Sequence, residues 1–372
     1  MYNVSVLNVK PGSKLTKDVF TPLGALLFHK ETILLARDLD ILRAFLVDYV
    51  EIQEVGDKGI QAKDILANKD TTLTADKLVV NAPSISENER SSFVKEYERM
   101  VNLTKNGYSS VLAAGIPIYE IRNQLERMVS HIKEYHILSF TPCILNDYDY
   151  IYHNAVLCAL SSYKLAQWCG LPQKDWLQAA FAGLFHDIGK IKVDPAVLYK
   201  PSTLTTDEIK EMRQHTKYGY QILKNVTGIN EGVRLSALQH HEKVDGTGYP
   251  MNVESSKIHI YAKMVGIVDI FHAMTLNKVY RLGQSPYLVL EQIHAESFGK
   301  LDPELVQVFI KRVTEFHNGT VVRLSSDQIG EIVFSNSNNP TRPMVSINGD
   351  IINLEQSRHL YIEEIVDTDG QL

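Results

Sequence analysis

Apolar and polar positions follow three successive regimes along this chain. Up to residue 53, short apolar segments of β character, Tyr2 to Val9, Ala25 to Phe28 and Tyr49 to Gln53, are separated by turn signals at Pro11-Gly12 and Pro22-Leu23-Gly24. An amphipathic stretch from Ala36 to Leu46 predicts a helix among them, so the opening segment reads as a small α/β module. After Gly56 the chain turns polar, with Thr71-Thr72 and Asn81-Ala82-Pro83-Ser84 breaking any period, and a connector is expected through residue 90. From residue 91 the period becomes helical: Phe93, Tyr97, Met100, Val101 and Leu103, then Ile118, Ile121, Leu125, Met128 and Ile132. This spacing predicts a helical linker or stalk over 91–140, suited to joining two copies of the chain as a homodimer.

Between 141 and 317 helical spacing recurs in Val156 to Trp168, Trp176 to Phe185, Asp207 to Leu223, Val233 to His240 and Ala262 to Met274. Beyond Gly319 the period switches to two, in Thr320 to Leu324, Glu331 to Phe334 and Pro343 to Ile347, with an Asn-Ser-Asn-Asn-Pro turn between the last two. The expected class is mainly α. An all-helical domain over 141–317 is flanked by the α/β module with its connector (1–90), the stalk (91–140) and a small β cap (318–372).

Composition narrows the functions available. A hydrophobic fraction of 44% and a charged fraction of 22% are those of a water-soluble globular protein. The longest apolar runs, such as Val111 to Tyr119, are too short to cross a bilayer, and the opening Met-Tyr-Asn-Val lacks a basic stretch with an apolar core. No membrane association and a cytoplasmic location are therefore expected. The formal charge of -6 argues against a polymeric nucleic acid as partner but leaves room for a small phosphorylated ligand held by a few local cations. Cys143, Cys158 and Cys169 form no Cys-x-x-Cys pair and suit neither a disulfide framework nor a thiolate metal site.

The candidate chemistry lies in the helical region. His186-Asp187 sits in Ala182 to Lys190, an otherwise apolar stretch where an unpaired carboxylate would cost several kcal/mol. A metal cation would compensate it, since imidazole and carboxylate donors together suit first-row divalent ions. His240-His241 follows a second apolar run, and neighbouring helix positions diverge by about 100°, so the two rings serve different metals or different edges of one. Asp269, within Met264 to Phe271, is a further carboxylate in an apolar setting. A polynuclear site is the natural reading. The segment Asp245-Gly246-Thr247-Gly248-Tyr249-Pro250 combines permissive glycines with a proline and reads as a tight shaped loop. The residues after His241 do not form His-Glu-x-x-His, which removes a zinc peptidase.

In order along the chain, His153, His186-Asp187-Ile188-Gly189-Lys190, Lys200-Pro201, His215, His240-His241-Glu242-Lys243-Val244-Asp245-Gly246-Thr247-Gly248-Tyr249-Pro250 and Asp269 resemble the HD-GYP branch of the HD-domain metal-dependent phosphohydrolases. The resemblance covers about 141–317. It implies hydrolysis of cyclic di-GMP to linear pGpG, and onward to GMP, at two or three divalent metals, iron favoured and manganese second. It further implies Asp187 as a bridging ligand, His153, His186 and Asp269 on one ion, and His215, His240 and His241 on the other. Two such ions could share a bridging hydroxide for in-line attack at phosphorus. Lys190 would face the scissile phosphate, Tyr249 would line the substrate pocket, and Lys278 and Arg281 would hold the second phosphate or a guanine edge. Asp149 stands where the family sometimes carries a glutamate that recruits a third metal, with Asp147 as its neighbouring competitor. His272 replaces a commoner aspartate, and Lys278 a commoner arginine.

Two alternatives carry different outcomes. One is an HD phosphohydrolase of another nucleotide, against which the Gly-Tyr-Pro loop and the Lys278/Arg281 segment weigh. The other is a non-catalytic cyclic-dinucleotide sensor, against which the complete ligand set weighs.

Overall fold

The computed structural model describes residues 2–6, 9–10, 12–20, 26–28, 30–34, 38–39, 42, 47, 49–53, 92–144, 146, 148–200, 202–277, 283–315 and 319–366. They fall into two compact units, one ending at Ser91 and one running from Ser92 to Asp367. In the first unit β1 (Tyr2–Ser5), β5 (Tyr49–Gln53) and β2 (Lys14–Leu15) form an antiparallel sheet in that order, and β3 (Val19–Phe20) pairs with β4 (Leu26–Phe28). Leu15, Phe28, Leu34, Val50 and Ile52 are buried in it. The expected connector, and most of the helix expected over 36–46, lie outside the described residues.

The second unit begins with α1 (Ser92–Ala114) and α2 (Ile118–Ser130). Next come α3 (Tyr150–Trp168), α4 (Gln173–Phe185), a 3-10 turn (Ile188–Lys192) and α5 (Pro195–Leu198). The helical part is completed by α6 (Thr206–Arg213), α7 (His215–Leu223), α8 (Glu231–Gln239), α9 (Ile260–Thr275), α10 (Pro286–Glu296) and α11 (Pro303–Val313). Local sequence sets several of the starts. Thr205 and Glu208 make a reciprocal capping box on α6, Asn230 accepts from the Val233 amide at α8, and Asp302 with Pro303 opens α11. No described helix is long and apolar enough to cross a membrane.

A five-stranded antiparallel sheet closes the unit in the order β10 (Ile362–Ile365), β6 (Val321–Leu324), β7 (Ile329–Phe334), β8 (Met344–Ile347), β9 (Asp350–Asn353). The strands β9 and β10 went unpredicted, because their short exposed runs carry little alternation. Val322, Leu324, Ile332, Val345 and Ile362 share one apolar core with the helices, and Arg342 clamps Glu291 of α10 through two N–H groups. The residues on which the stalk reading rested, Phe93, Tyr97, Met100, Ile121, Leu125 and Met128, are buried in this same core. Their apolar periodicity is thus used within the chain, each large side chain contributing about 1.5–3 kcal/mol of burial.

The helix expected from Asp207 to Leu223 is broken at Gln214. The His215 ring takes the Met212 carbonyl (2.7 Å), and the Thr216 hydroxyl takes that of Arg213 (3.0 Å), so side chains occupy the acceptors of the local turn. The break brings α7 against the 3-10 turn, where Gly189 touches it so closely that a Cβ would fall on the His215 carbonyl oxygen. Backbone on both sides of that contact cannot give way cheaply. Gly189→Ala is expected to destabilise the unit by about 1–3 kcal/mol, as overpacking of a tight core does. Urea unfolding at matched metal content checks this, and a wild-type midpoint would mean that the two elements separate freely.

Candidate metal centre

Three histidines stand at the ends of helices or beside them, and each uses Nδ1 in the same way. His186 bonds the Gly183 carbonyl (2.7 Å), His215 that of Met212 (2.7 Å) and His240 that of Ser236 (3.0 Å). A ring that donates from Nδ1 to a carbonyl presents the lone pair of Nε2, the arrangement that metal-binding imidazoles commonly show. All three are buried.

The Nε2 atoms converge on Asp187, which is 3% exposed. Its Oδ2 lies 3.2 Å from His186 Nε2, whereas its Oδ1 lies 3.4 Å from His215 Nε2 and 3.7 Å from His240 Nε2. Asp269 Oδ1 approaches His186 Nε2 at 3.3 Å. Two groups of donors result: Asp187 with His215, His240 and His241, and His186 with Asp269 and Cys158. One carboxylate therefore addresses both groups, one oxygen to each.

The residues fit a metal. His186 Nε2 and Asp187 Oδ1 are buried without a hydrogen-bond partner, which is costly unless a cation meets them. Donors bound at about 2.0–2.2 Å from one ion stand roughly 3–3.5 Å apart, which matches most of the separations above. His215 Nε2 and His240 Nε2 face each other at 3.3 Å, and two lone pairs so placed need a positive charge between or beside them.

Electrostatics say the same. Burial works to lower the His186 imidazole, but the Asp187 and Asp269 carboxylates overcome it and hold the ring up at about 10. The carboxylates demand a positive charge at that point. Burial pushes His215 down to about 3 and His241 well below the usual histidine range, so both rings are neutral and able to ligate. Burial opposes ionisation of Asp187, yet Lys190 and His186 hold its carboxyl well below the ordinary range. Lys190 reaches Asp187 Oδ2 at 2.5 Å.

Other expected residues are placed differently. His153 stands in neither donor group, and its Nδ1 is 2.9 Å from the buried Tyr97 hydroxyl. Asp149, at the start of α3, is also in neither group; Lys105 Nζ at 2.5 Å and Asn146 Nδ2 at 2.9 Å occupy its carboxylate. Asp147, Lys278 and Arg281 lie outside the described residues. His272 is buried, hydrogen-bonds Ser161 at 2.7 Å and is driven by burial to about 3, hence neutral.

The loop after His241 is built onto the site. Both Glu242 oxygens accept loop amides, from Met251 (2.6 Å) and Val253 (3.2 Å). Gly248 passes so close to Glu242 and Lys243 that a Cβ would overlap their backbone. This brings the Tyr249 ring onto His241, with centroids 4.7 Å apart and planes 27° from parallel. Burial, with the nearby Asp187 and Asp269 charges, keeps the Tyr249 hydroxyl protonated against the effect of Arg213.

Sequence reasoning missed Asn154, whose amide donates to Asp269 Oδ1 at 2.9 Å, as well as Tyr97 and Cys158. Only the i, i+4 spacing of Asn154 and Cys158 hinted at a shared helix face. A cavity of about 260 Å³ lined by Glu291, Arg342, Glu355 and Arg358 among others shares no residue with the metal centre.

The fold and the site together define a helical domain with a His/Asp cluster suited to divalent metals. Residues 141–305 match the family described as HD domain. A cyclic di-GMP phosphodiesterase of Pseudomonas aeruginosa is 32% identical over 202 residues, 54% of this chain and 48% of that protein. A 3'3'-cGAMP-specific phosphodiesterase of Vibrio cholerae is 29% identical over 159 residues, 42% of this chain and 30% of that protein. The chain thus spans about half the length of the first relative and under a third of the second. The solved structure of an HDG"Y"P protein from Bdellovibrio bacteriovorus is similar at a TM-score of 0.46 and 12% identity, over 83% of this chain and 97% of that one.

Proposed function

We propose that this chain is a metal-dependent phosphodiesterase of the HD-GYP type that opens cyclic di-GMP to linear pGpG and carries the product on to GMP. The observation that carries the reading is Asp187, whose two oxygens face two separate sets of imidazole nitrogens. His186 and Asp269, joined by His153, would hold one divalent ion; His215, His240 and His241 would hold the other. Iron is favoured and manganese second, and Asp149 is the residue proposed for a third ion. When bound, the ions would supply Lewis acidity and an activated water for displacement at phosphorus.

The protein's own groups do the rest. Asp187 and Asp269 fix the charge of the centre, and the carbonyls of Gly183, Met212 and Ser236 hold the imidazoles in one tautomer. Lys190, kept cationic beside Asp187, is poised to turn toward the scissile phosphate. Tyr249 and the segment containing Lys278 and Arg281 would receive the rest of the dinucleotide.

A second reading, hydrolysis of a mixed guanine-adenine cyclic dinucleotide, is favoured by the name of the Vibrio cholerae relative. The test is to purify the chain without chelator, count metals per chain, and chromatograph the products from cyclic di-GMP and 3'3'-cGAMP with iron or manganese under reducing conditions. Two or three metals with pGpG and GMP from cyclic di-GMP are expected. Preference for the mixed dinucleotide would support the second reading. A metal-loaded protein inert on both would make it a sensor or an enzyme of another nucleotide.

A further inference from the structure

The basic groups described around the centre differ in how they are engaged. Lys190 is paired with Asp187, and Lys200 is held by both oxygens of Glu208 at 2.7 and 2.6 Å. Arg213, the last residue of α6, has no ion pair among the described residues. Its Cζ lies 4.8 Å from the Tyr249 ring centroid, and that ring lies on His241. The guanidinium is therefore no more than 9.5 Å from the His241 ring, the two centroid steps laid end to end.

Stacking on an aromatic face engages the plane of a guanidinium and leaves its edge N–H groups free, and those edges match the fork of a phosphate. Among the described residues no acceptor takes these N–H groups, and Arg213 is exposed. In a chain of net charge -6, with Asp187 and Asp269 at the centre, an incoming dianion needs an uncommitted cation beside the metals.

We infer that Arg213 is a substrate-binding residue whose guanidinium takes the phosphodiester that is not being cleaved; the inference rests on the cyclic-dinucleotide reading above. Tyr249 then has a defined part, as the platform between Arg213 and His241. The break at Gln214 also gains a purpose, because it ends α6 at Arg213 and starts α7 at His215, one residue for each ligand type.

The test compares the metal-loaded full chain with its Arg213→Ala and Arg213→Lys variants. For Arg213→Ala the KM for cyclic di-GMP is expected to rise about 10- to 100-fold, the scale of a charge-assisted hydrogen bond, with kcat held within about a factor of two. Metals per chain should stay at the wild-type count. Arg213→Lys should recover part of the loss, since it keeps the charge and loses the fork. The ratio of kcat/KM for cyclic di-GMP to that for bis(4-nitrophenyl) phosphate, which has a single phosphodiester, should fall by at least about tenfold.

An unchanged KM at wild-type metal content overturns the inference, as does an equal loss on both substrates, which would mark a structural role. If the wild type binds cyclic di-GMP without cleaving it, the phosphodiesterase reading falls and Kd replaces KM in the same comparison. If it neither binds nor cleaves, both fall.

Discussion

Asp187→Asn is expected to abolish turnover of cyclic di-GMP, by on the order of 10³-fold or more, and to reduce the metal content to one ion per chain or fewer. The substitution preserves shape and removes charge. It therefore tests the electrostatic part of the argument rather than packing. In the native chain a single carboxylate lies against His186 through one oxygen and against His215 and His240 through the other. The other carboxylate of the cluster, Asp269, stands with His186 in the second donor group alone. An amide offers one weak oxygen donor and an NH₂ that repels a cation. Both groups should lose their shared ligand together, and Lys190 loses its partner as well. Metal analysis with product chromatography decides the matter, and a variant that keeps two metals would show that Asp187 does not bridge.

Chelation supplies the second large effect. Removing bound metal is expected to lower the melting temperature by about 10 °C, the shift that a ligand at about a thousandfold over its Kd gives a domain of this size. The stripped protein should also acquire a pH dependence of stability in both directions. His186 is held up at about 10 in the folded chain against 6.5 unfolded, so its contribution is complete below 6.5 and lost as pH rises through 10. His215 is pushed down to about 3, and His241 is also lowered. The unfolded chain thus takes protons that the folded site refuses, and stability is lost as pH falls from 6.5 toward 3. The stripped protein should be most stable near pH 6.5. Calorimetry across pH, with and without added manganese, checks both points; coincident curves would mean that the cluster binds no metal.

Much of the centre was legible before the fold. His186-Asp187, His240-His241 and Asp269 stand out because a polar or charged group inside an apolar helical run must find a partner. The structure brings these residues and His215 into two adjoining groups. The binary pattern likewise predicted the helical centre and the strands β6, β7 and β8, since periods of 3.6 and 2 follow from backbone geometry alone.

Less legible were the contacts made across the chain. Tyr97 meets His153 from 56 positions away, and Asn154 meets Asp269 from 115, distances over which one sequence carries no spacing signal. The break between α6 and α7 was hidden because its apolar spacing continues through Gln214 while side chains take over the backbone acceptors. The helix pair over 92–130 showed the same limit. Its periodicity marked an apolar face, and only packing revealed that the face lies in the core of the second unit.

By itself, then, the chain determined which side chains could not stand alone: buried carboxylates, paired imidazoles, and apolar stripes that require cover. Tertiary structure decided who meets them. It gave each Asp187 oxygen its own set of histidines, gave Asp149 to Lys105, and seated Arg213 on Tyr249. The reason is physical: desolvation cost is a property of a residue in its local run, whereas the partner that offsets it is chosen by the packing of elements remote in sequence.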